Sequence, residues 1–291
     1  MELPVVVGVD GSESGLRATD WAVDEAARRG VPLRLVHGFL WDRYDSAGPD
    51  GGQGRPAGRT SADDLVASAA ARARHRDPSV EVSTEAVPED AVTVLLSAAR
   101  NASVLVTGSR GRGGLRGLLL GSVGLAVASR AHCPVVVVRG DKAALEETHE
   151  CVLLGAGDPA AGGEAARFAF RAAQARGCTL DVVRAWRCPA YEGTDRPEVT
   201  GEPERHHEER ASLLLDAVVR DAGADHPDVR VRRATAEGPA RKVLLHRSAA
   251  ADLVVVGARR RHGHFGLQLG PVGHTLLHHA ACPVAVVPHR A

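Results

Sequence analysis

Gly108-Ser109-Arg110-Gly111, nine intervening residues and then Gly121-Ser122 form the segment of this chain best suited to holding an anion. It follows an apolar run, Val104–Thr107, and leads into a stretch with helical spacing. Glycines permit positive φ and let backbone N–H groups approach a phosphate closely. Gly121 and Ser122 fall where a helix presents unpaired N–H groups and the positive end of its dipole. Ser122 adds a hydroxyl donor and Arg110 adds charge. A second polar residue, Asp10, ends the first apolar run in Val9-Asp10-Gly11-Ser12. A carboxylate there does not favour phosphate. It suits hydrogen-bond donors such as ribose hydroxyls or an adenine amino group, with Ser12 left to cap the helix that follows.

These groups can act together only if a fold brings the two segments to one place. The apolar pattern predicts strands at Val5–Val9, Leu33–His37, Val80–Ala86, Val104–Thr107 and Val135–Val138, with helices between them, including Gly15–Arg29 and Ala91–Arg100. A Gly/Pro-rich loop is expected over Trp41–Gly58. The second half repeats this order, with strands at Val152–Ala156, Thr179–Ala185, Val229–Ala234, Leu253–Val256 and Val284–Val287 and a loop over Arg187–Pro203. The repeat is explicit: Val104–Val138 and Leu253–Val287 align without gaps, with about half of the positions identical. Strands alternating with helices imply parallel pairing and right-handed crossovers. The expected fold is therefore two tandem doubly wound α/β domains, over 1–140 and 150–291, joined by a short charged linker near Gly140–Glu150. Each would be a five-stranded, mainly parallel sheet with helices on both faces. Such sheets bind ligands beyond the carboxyl ends of their strands, where strand order reverses. Asp10 and the glycine segment follow the first and fourth strands, as that rule requires.

Composition narrows the field. Apolar residues make up 44% of 291 residues, enough for two cores, but aromatics only 3%, so Ala, Val and Leu must do the packing. The bias towards Arg, Ala and Gly is what a GC-rich bacterial genome yields, as in the actinobacteria. Lys plus Arg and Asp plus Glu number 36 each, so no basic excess points to nucleic acid. Five cysteines (Cys133, Cys151, Cys178, Cys188 and Cys282) have no close-paired spacing, which argues against a disulfide framework or a zinc cage. No apolar run approaches the roughly 20 residues that span a bilayer. A cytoplasmic protein that engages neither membrane nor nucleic acid is expected.

The residues already named resemble the universal stress protein family. Its ATP-binding signature is G-x-x-G, nine residues, then G-[S/T]; Val9-Asp10-Gly11-Ser12 matches its opening and Cys133–Val137 its last strand. The resemblance covers the chain twice and implies an adenine nucleotide α-hydrolase-like fold. It also implies that Gly8, Val9 and Asp10 contact base and ribose, that Gly38 lines the adenine slot, and that Thr107, Gly108, Gly111, Gly121, Ser122 and Val123 contact ribose and phosphate. Gly38 departs from the aliphatic residue usual in the family. The implied ligand is ATP, with Mg²⁺ as the companion that a triphosphate can bring. The resemblance further implies that the final strands, Val135–Val138 and Val284–Val287, pair antiparallel within one chain as a pseudo-dimer, with a homodimer of chains as a further level of assembly.

The second copy is eroded at these positions. Gly157 stands for Asp10, Arg260 for Gly111 and Pro271 for Ser122, so weak or no nucleotide binding is expected there, although Arg259, Arg260 and Arg261 keep its loop cationic. His274 and His278 are one helical turn apart, with His262 and His264 in the loop, but no third ligand is evident and no metal site is expected. No nucleophile, base and oxyanion donors form a set. The reading is a non-catalytic, ATP-binding regulator of stress or dormancy acting on an unknown protein partner. The alternatives are a weak ATPase or nucleotidyl transferase, and an interaction scaffold that binds no nucleotide.

Overall fold

Val5, Val6 and Val7 have no solvent exposure and sit at the centre of the first sheet. A continuous β-branched run of this kind suits a strand covered on both faces. The computed structural model describes residues 3–40, 57–111, 120–157, 159–187, 202–258 and 269–289. The described residues up to Arg139 form one unit, and those from Gly140 onward form a second.

The first unit contains β1 (Val5–Gly8), α1 (Glu13–Arg29), β2 (Leu33–Gly38), α2 (Ala57–Arg76), β3 (Val82–Val87), α3 (Ala91–Ala98), β4 (Val104–Gly108), α4 (Ser122–Arg130) and β5 (Val135–Val138). Its strand order is β3-β2-β1-β4-β5, parallel throughout. The order reverses between β1 and β4, so the loops after these two strands share one end of the sheet.

The second unit contains α5 (Lys142–Leu145), β6 (Cys151–Gly155), α6 (Pro159–Arg176), β7 (Thr179–Trp186), α7 (Glu202–Gly223), β8 (Val231–Glu237), α8 (Ala240–Arg247), β9 (Leu253–Ala258), α9 (Pro271–His279) and β10 (Val284–Pro288). Its order, β8-β7-β6-β9-β10, is again all parallel and reverses between β6 and β9. The alternation read from the sequence is thus realised twice. Of the loops expected to be least regular, residues 41–56 and 188–201 lie outside the described residues, and α2 and α7 begin at their carboxyl ends.

Both cores are aliphatic, as the composition requires, with Phe168 and Phe170 the largest fully buried side chains. The linker differs from expectation. It forms the single helical turn α5, capped by the Asp141 carboxylate, which accepts from Ala144 N at 3.0 Å.

Cys133, Cys151, Cys178 and Cys282 are buried and form no disulfide. Burial pushes the Cys133 thiol up to about 11 and raises Cys151 and Cys178 as well. At pH 8 only about one Cys133 thiol in a thousand is then ionised. We therefore expect iodoacetamide to leave these cysteines essentially unlabelled over an hour at pH 8 in the folded chain and to label them within minutes in denaturant. Rapid labelling of Cys133 in the native protein would contradict its burial.

Candidate functional site

Ser12 begins the site by starting α1. Its hydroxyl accepts from Gly15 N at 3.0 Å, the N-cap role that the sequence assigned to it. Asp10 then folds back on Ser12: Oδ1 accepts from Ser12 N at 3.0 Å and from the Ser12 hydroxyl at 2.7 Å, an Asx-turn. Asp10 is therefore only partly free of the cap. One oxygen shapes the turn, helped by Gly11 at φ 74°. A Cβ on Gly111 would stand 2.8 Å from Oδ2, so the carboxylate lies directly against the glycine loop.

Ser14, which the sequence reading did not single out, locks the two segments together. Its hydroxyl accepts from Arg110 N at 3.1 Å and donates to the Arg110 carbonyl. Nothing in the sequence marks a buried serine in a helix's first turn as a clasp to a loop 96 residues away. Gly108 permits this contact, because a Cβ there would lie 2.6 Å from Ser14 Oγ and 2.7 Å from Ser14 backbone atoms. The loop is closed at its base by Gly121 N donating to Ser109 O at 2.9 Å. Residues 112–119, between these anchors, lie outside the described residues. Removing the clasp with Ser14→Ala should cost about 1 kcal/mol of stability. Thermal unfolding should register that loss, and an unchanged midpoint would show that the clasp contributes nothing.

Positive φ is not what the motif glycines supply. Positive φ among the described glycines falls at Gly11, Gly30, Gly140, Gly177 and Gly238, and not at Gly108, Gly111 or Gly121. Gly108 and Gly111 are needed for close approach. Gly121, at φ −66° and ψ 151°, has room for a Cβ, with its nearest neighbour at 3.6 Å.

Gly121 is the N-cap of α4 and supplies no side-chain bond to the N–H groups of the first turn. By contrast, α1 and α3 are capped by Ser12 and by Asp90, which accepts from Thr93 N at 3.0 Å. The uncapped start thus sits beside the clasped loop: the Cβ of a residue 121 side chain would be 3.8 Å from Gly111 N. Ser122 is exposed and Val123 half-buried on the first turn of α4.

The structure therefore gathers Asp10, Gly108, Arg110, Gly111 and Gly121 into one cluster. Thr107, 4% exposed on β4, has an Oγ1 without a hydrogen-bond partner. Gly8 ends β1 and Val9 directly follows it. Val9 donates to Val36 O at 2.9 Å, and its carbonyl is 2.7 Å from His37 Nδ1. Gly38 ends β2 and faces the start of α3: a Cβ would stand 2.7 Å from Ala91 Cα. The aliphatic residue expected by resemblance cannot fit against so close a helix.

In the second unit Pro271 is the first residue of α9, behind Gly270. It removes one N–H and the hydroxyl that Ser122 supplies in the first unit. Arg259, Arg260, Arg261, His262 and His264 lie outside the described residues. The His274 and His278 rings lie with centroids 4.4 Å apart, tilted by 31°, and among the described residues no three His, Cys, Asp or Glu side chains gather to hold a metal ion. No helix among the described residues is long and apolar enough to cross a membrane.

A parallel sheet whose strand order reverses beside its first strand, with helices between the strands, defines the class, a doubly wound α/β domain, present here twice; the first copy carries the acidic residue and the glycine loop at that switch point. The sequence profile of the universal stress protein family matches residues 2–139 and again residues 150–288. A universal stress protein of Mycobacterium tuberculosis is 34% identical, over 97% of this chain and 96% of its own. A universal stress protein structure from Archaeoglobus fulgidus covers 98% of both chains with a TM-score of 0.72 at 16% identity. A universal stress protein solved in complex with cAMP is 27% identical, over 48% of this chain and 98% of its own, at a TM-score of 0.37. The chain belongs to the universal stress protein family, in tandem form.

Proposed function

We propose that the first unit binds ATP, or a related adenine nucleotide, and that occupancy tunes the chain's interaction with a protein partner without catalysis. One observation carries this reading: the Ser14 clasp brings the free oxygen of Asp10 against Gly111, beside the uncapped start of α4. A carboxylate and a cluster of N–H donors side by side match a ligand that has hydroxyl donors at one end and anionic oxygens at the other. Asp10 Oδ2 takes the ribose hydroxyls; the amides of Gly111, Ser122 and Val123 take phosphate oxygens, with Arg110 adding charge. Gly8, Val9 and Gly38 line the base side, with Thr107 and Gly108 beneath the ribose. When a triphosphate is bound, Mg²⁺ would enter with it.

The test is mass spectrometry of small molecules released from the purified chain, compared with an Asp10→Ala, Gly121→Ala variant. The second substitution fits the backbone and places a methyl where phosphate should lie. Adenine nucleotide in the wild type and none in the folded variant supports the site. Equal occupancy in both would move the ligand elsewhere, and a nucleotide-free wild type that gives no calorimetric heat with ATP would favour a scaffold. Hydrolysis that collapses in a single acid or base variant that still binds ATP would place the chain among enzymes.

A further inference from the structure

The carboxyl end of the second sheet carries a cavity of about 410 Å³ lined by Ala185, Trp186, Arg187, Gly238–Arg241, Pro271 and Val272. That volume is in the range of small-ligand sites. Strand register shows what has changed there relative to the first unit. Gly8 lies opposite Val36 and Gly155 opposite Val183, so Arg184, Trp186 and Arg187 stand where the first unit has His37, Phe39 and Leu40. The helices α3 and α8 begin at Ala91 and Ala240, so Gly238, Pro239 and Arg241 stand for Glu89, Asp90 and Val92.

Among the described residues, the acidic positions at this end of the sheet are lost. The first unit places Asp10, Glu89 and Asp90 here, and the second has Gly157, Gly238 and Pro239 in their places. The second unit adds Arg187 and Arg241 to the lining. Its third arginine, Arg184, donates to the Gly157 carbonyl, so a guanidinium covers the position that Asp10 holds in the first unit. Losing the Asp90 counterpart also leaves α8 without a side-chain cap, and α9, uncapped as well, starts at the same cavity. Two positive helix ends and two arginines thus face a space whose described lining holds no acidic side chain. Trp186 offers a flat apolar surface beside them, held because Gly238, at φ 133°, donates to the Trp186 carbonyl at 2.8 Å.

We infer that this cavity is a second binding site, for a small dianion that carries a flat ring and needs no ribose. Arg187 and Arg241 hold its anionic oxygens, and Trp186 packs against its ring. This site is independent of the nucleotide reading of the first unit.

The probes are phenyl phosphate and phthalate, which share a ring and a double negative charge but differ in their anionic groups. Each is titrated into the full-length chain carrying Asp10→Ala, with tryptophan fluorescence and calorimetry as readouts. One saturable site is expected for at least one probe, and the tighter probe identifies the anionic group. Arg187→Ala and Arg241→Ala should each weaken that binding about tenfold or more. Arg241→Lys should keep part of it. Trp186→Leu should weaken binding without altering its salt dependence. Binding that is indifferent to both arginines, or no saturation by either probe up to roughly 10 mM, overturns the inference. Circular dichroism confirms that each variant is folded, and ATP binding by the same variants without Asp10→Ala reports separately on the first site.

Discussion

Asp10→Ala should weaken ATP binding by roughly ten- to a hundredfold while leaving the fold intact. Hydrogen bonds to a charged acceptor are worth about 1.5–3 kcal/mol each, and a ribose brings donors to a single carboxylate oxygen, Oδ2. The stability cost should be small because Ser12, not Asp10, caps α1 through Gly15 N. What Asp10 does for the fold is the Asx-turn through Oδ1, and its donors, Ser12 N and the Ser12 hydroxyl, are only partly buried and can turn to water. Asp10→Asn separates the two roles. Its amide oxygen can keep the turn, while its NH₂ replaces an acceptor with a donor on the ligand side. Calorimetric titration with ATP should therefore rank wild type above Asn and Ala, with melting temperatures for wild type and Asn close together. An unchanged dissociation constant in both variants would remove Asp10 from the site.

The parts of this molecule that were legible in the sequence are those set by repetition and by local chemistry. Two copies of one pattern revealed the parallel pairing and pointed to the loops after the first and fourth strands, because parallel strands joined by helices have few allowed topologies. Ser12 as a cap and Pro271 at a helix start were readable because both roles depend on neighbours in sequence. What stayed hidden depends on distance in space. The reason for glycine at 108 is the backbone of Ser14, and the reason at 111 is the carboxylate of Asp10, neither of which a motif states. The arginines that replace apolar residues in the second unit were equally invisible, since Arg187 falls at the edge of an irregular loop and Arg241 in an ordinary helical turn. Only the strand register sets them against Leu40 and Val92. The linker helix was missed because a single turn has too few residues to show a period, and its one signal was Asp141 at the cap position.

Asp252→Ala should be the most damaging of the substitutions considered to the fold of the second unit, costing about 3 kcal/mol. Asp252 is 2% exposed and directly precedes β9. Its two oxygens accept from His149 N and Cys151 N, each at 3.0 Å, and so anchor the end of the linker to the start of β6. The first unit shows why a carboxylate is needed. There Ser103 precedes β4 and both its N–H and its hydroxyl donate to the Pro4 carbonyl, at 2.9 and 3.1 Å. Asp252 N likewise donates to the Cys151 carbonyl, at 2.8 Å, so Cys151 occupies the place of Pro4. Proline has no N–H to satisfy, but Cys151 does, and its burial leaves no water to accept from it. Alanine at 252 strands that donor and releases the one at His149, at about 1–3 kcal/mol for each buried group left unpaired. Ser103→Ala removes only a second donor to a carbonyl that is already bonded, so it should cost well under 1 kcal/mol. Asp252→Asn keeps one acceptor oxygen and should fall between the two. Thermal unfolding should therefore show a drop of roughly 6–12 °C for Asp252→Ala and little change for Ser103→Ala. Native-state alkylation should also find Cys151 reactive in the first variant alone. Equal midpoints for the two variants would show that the bond to Cys151 N does not hold β6 in place.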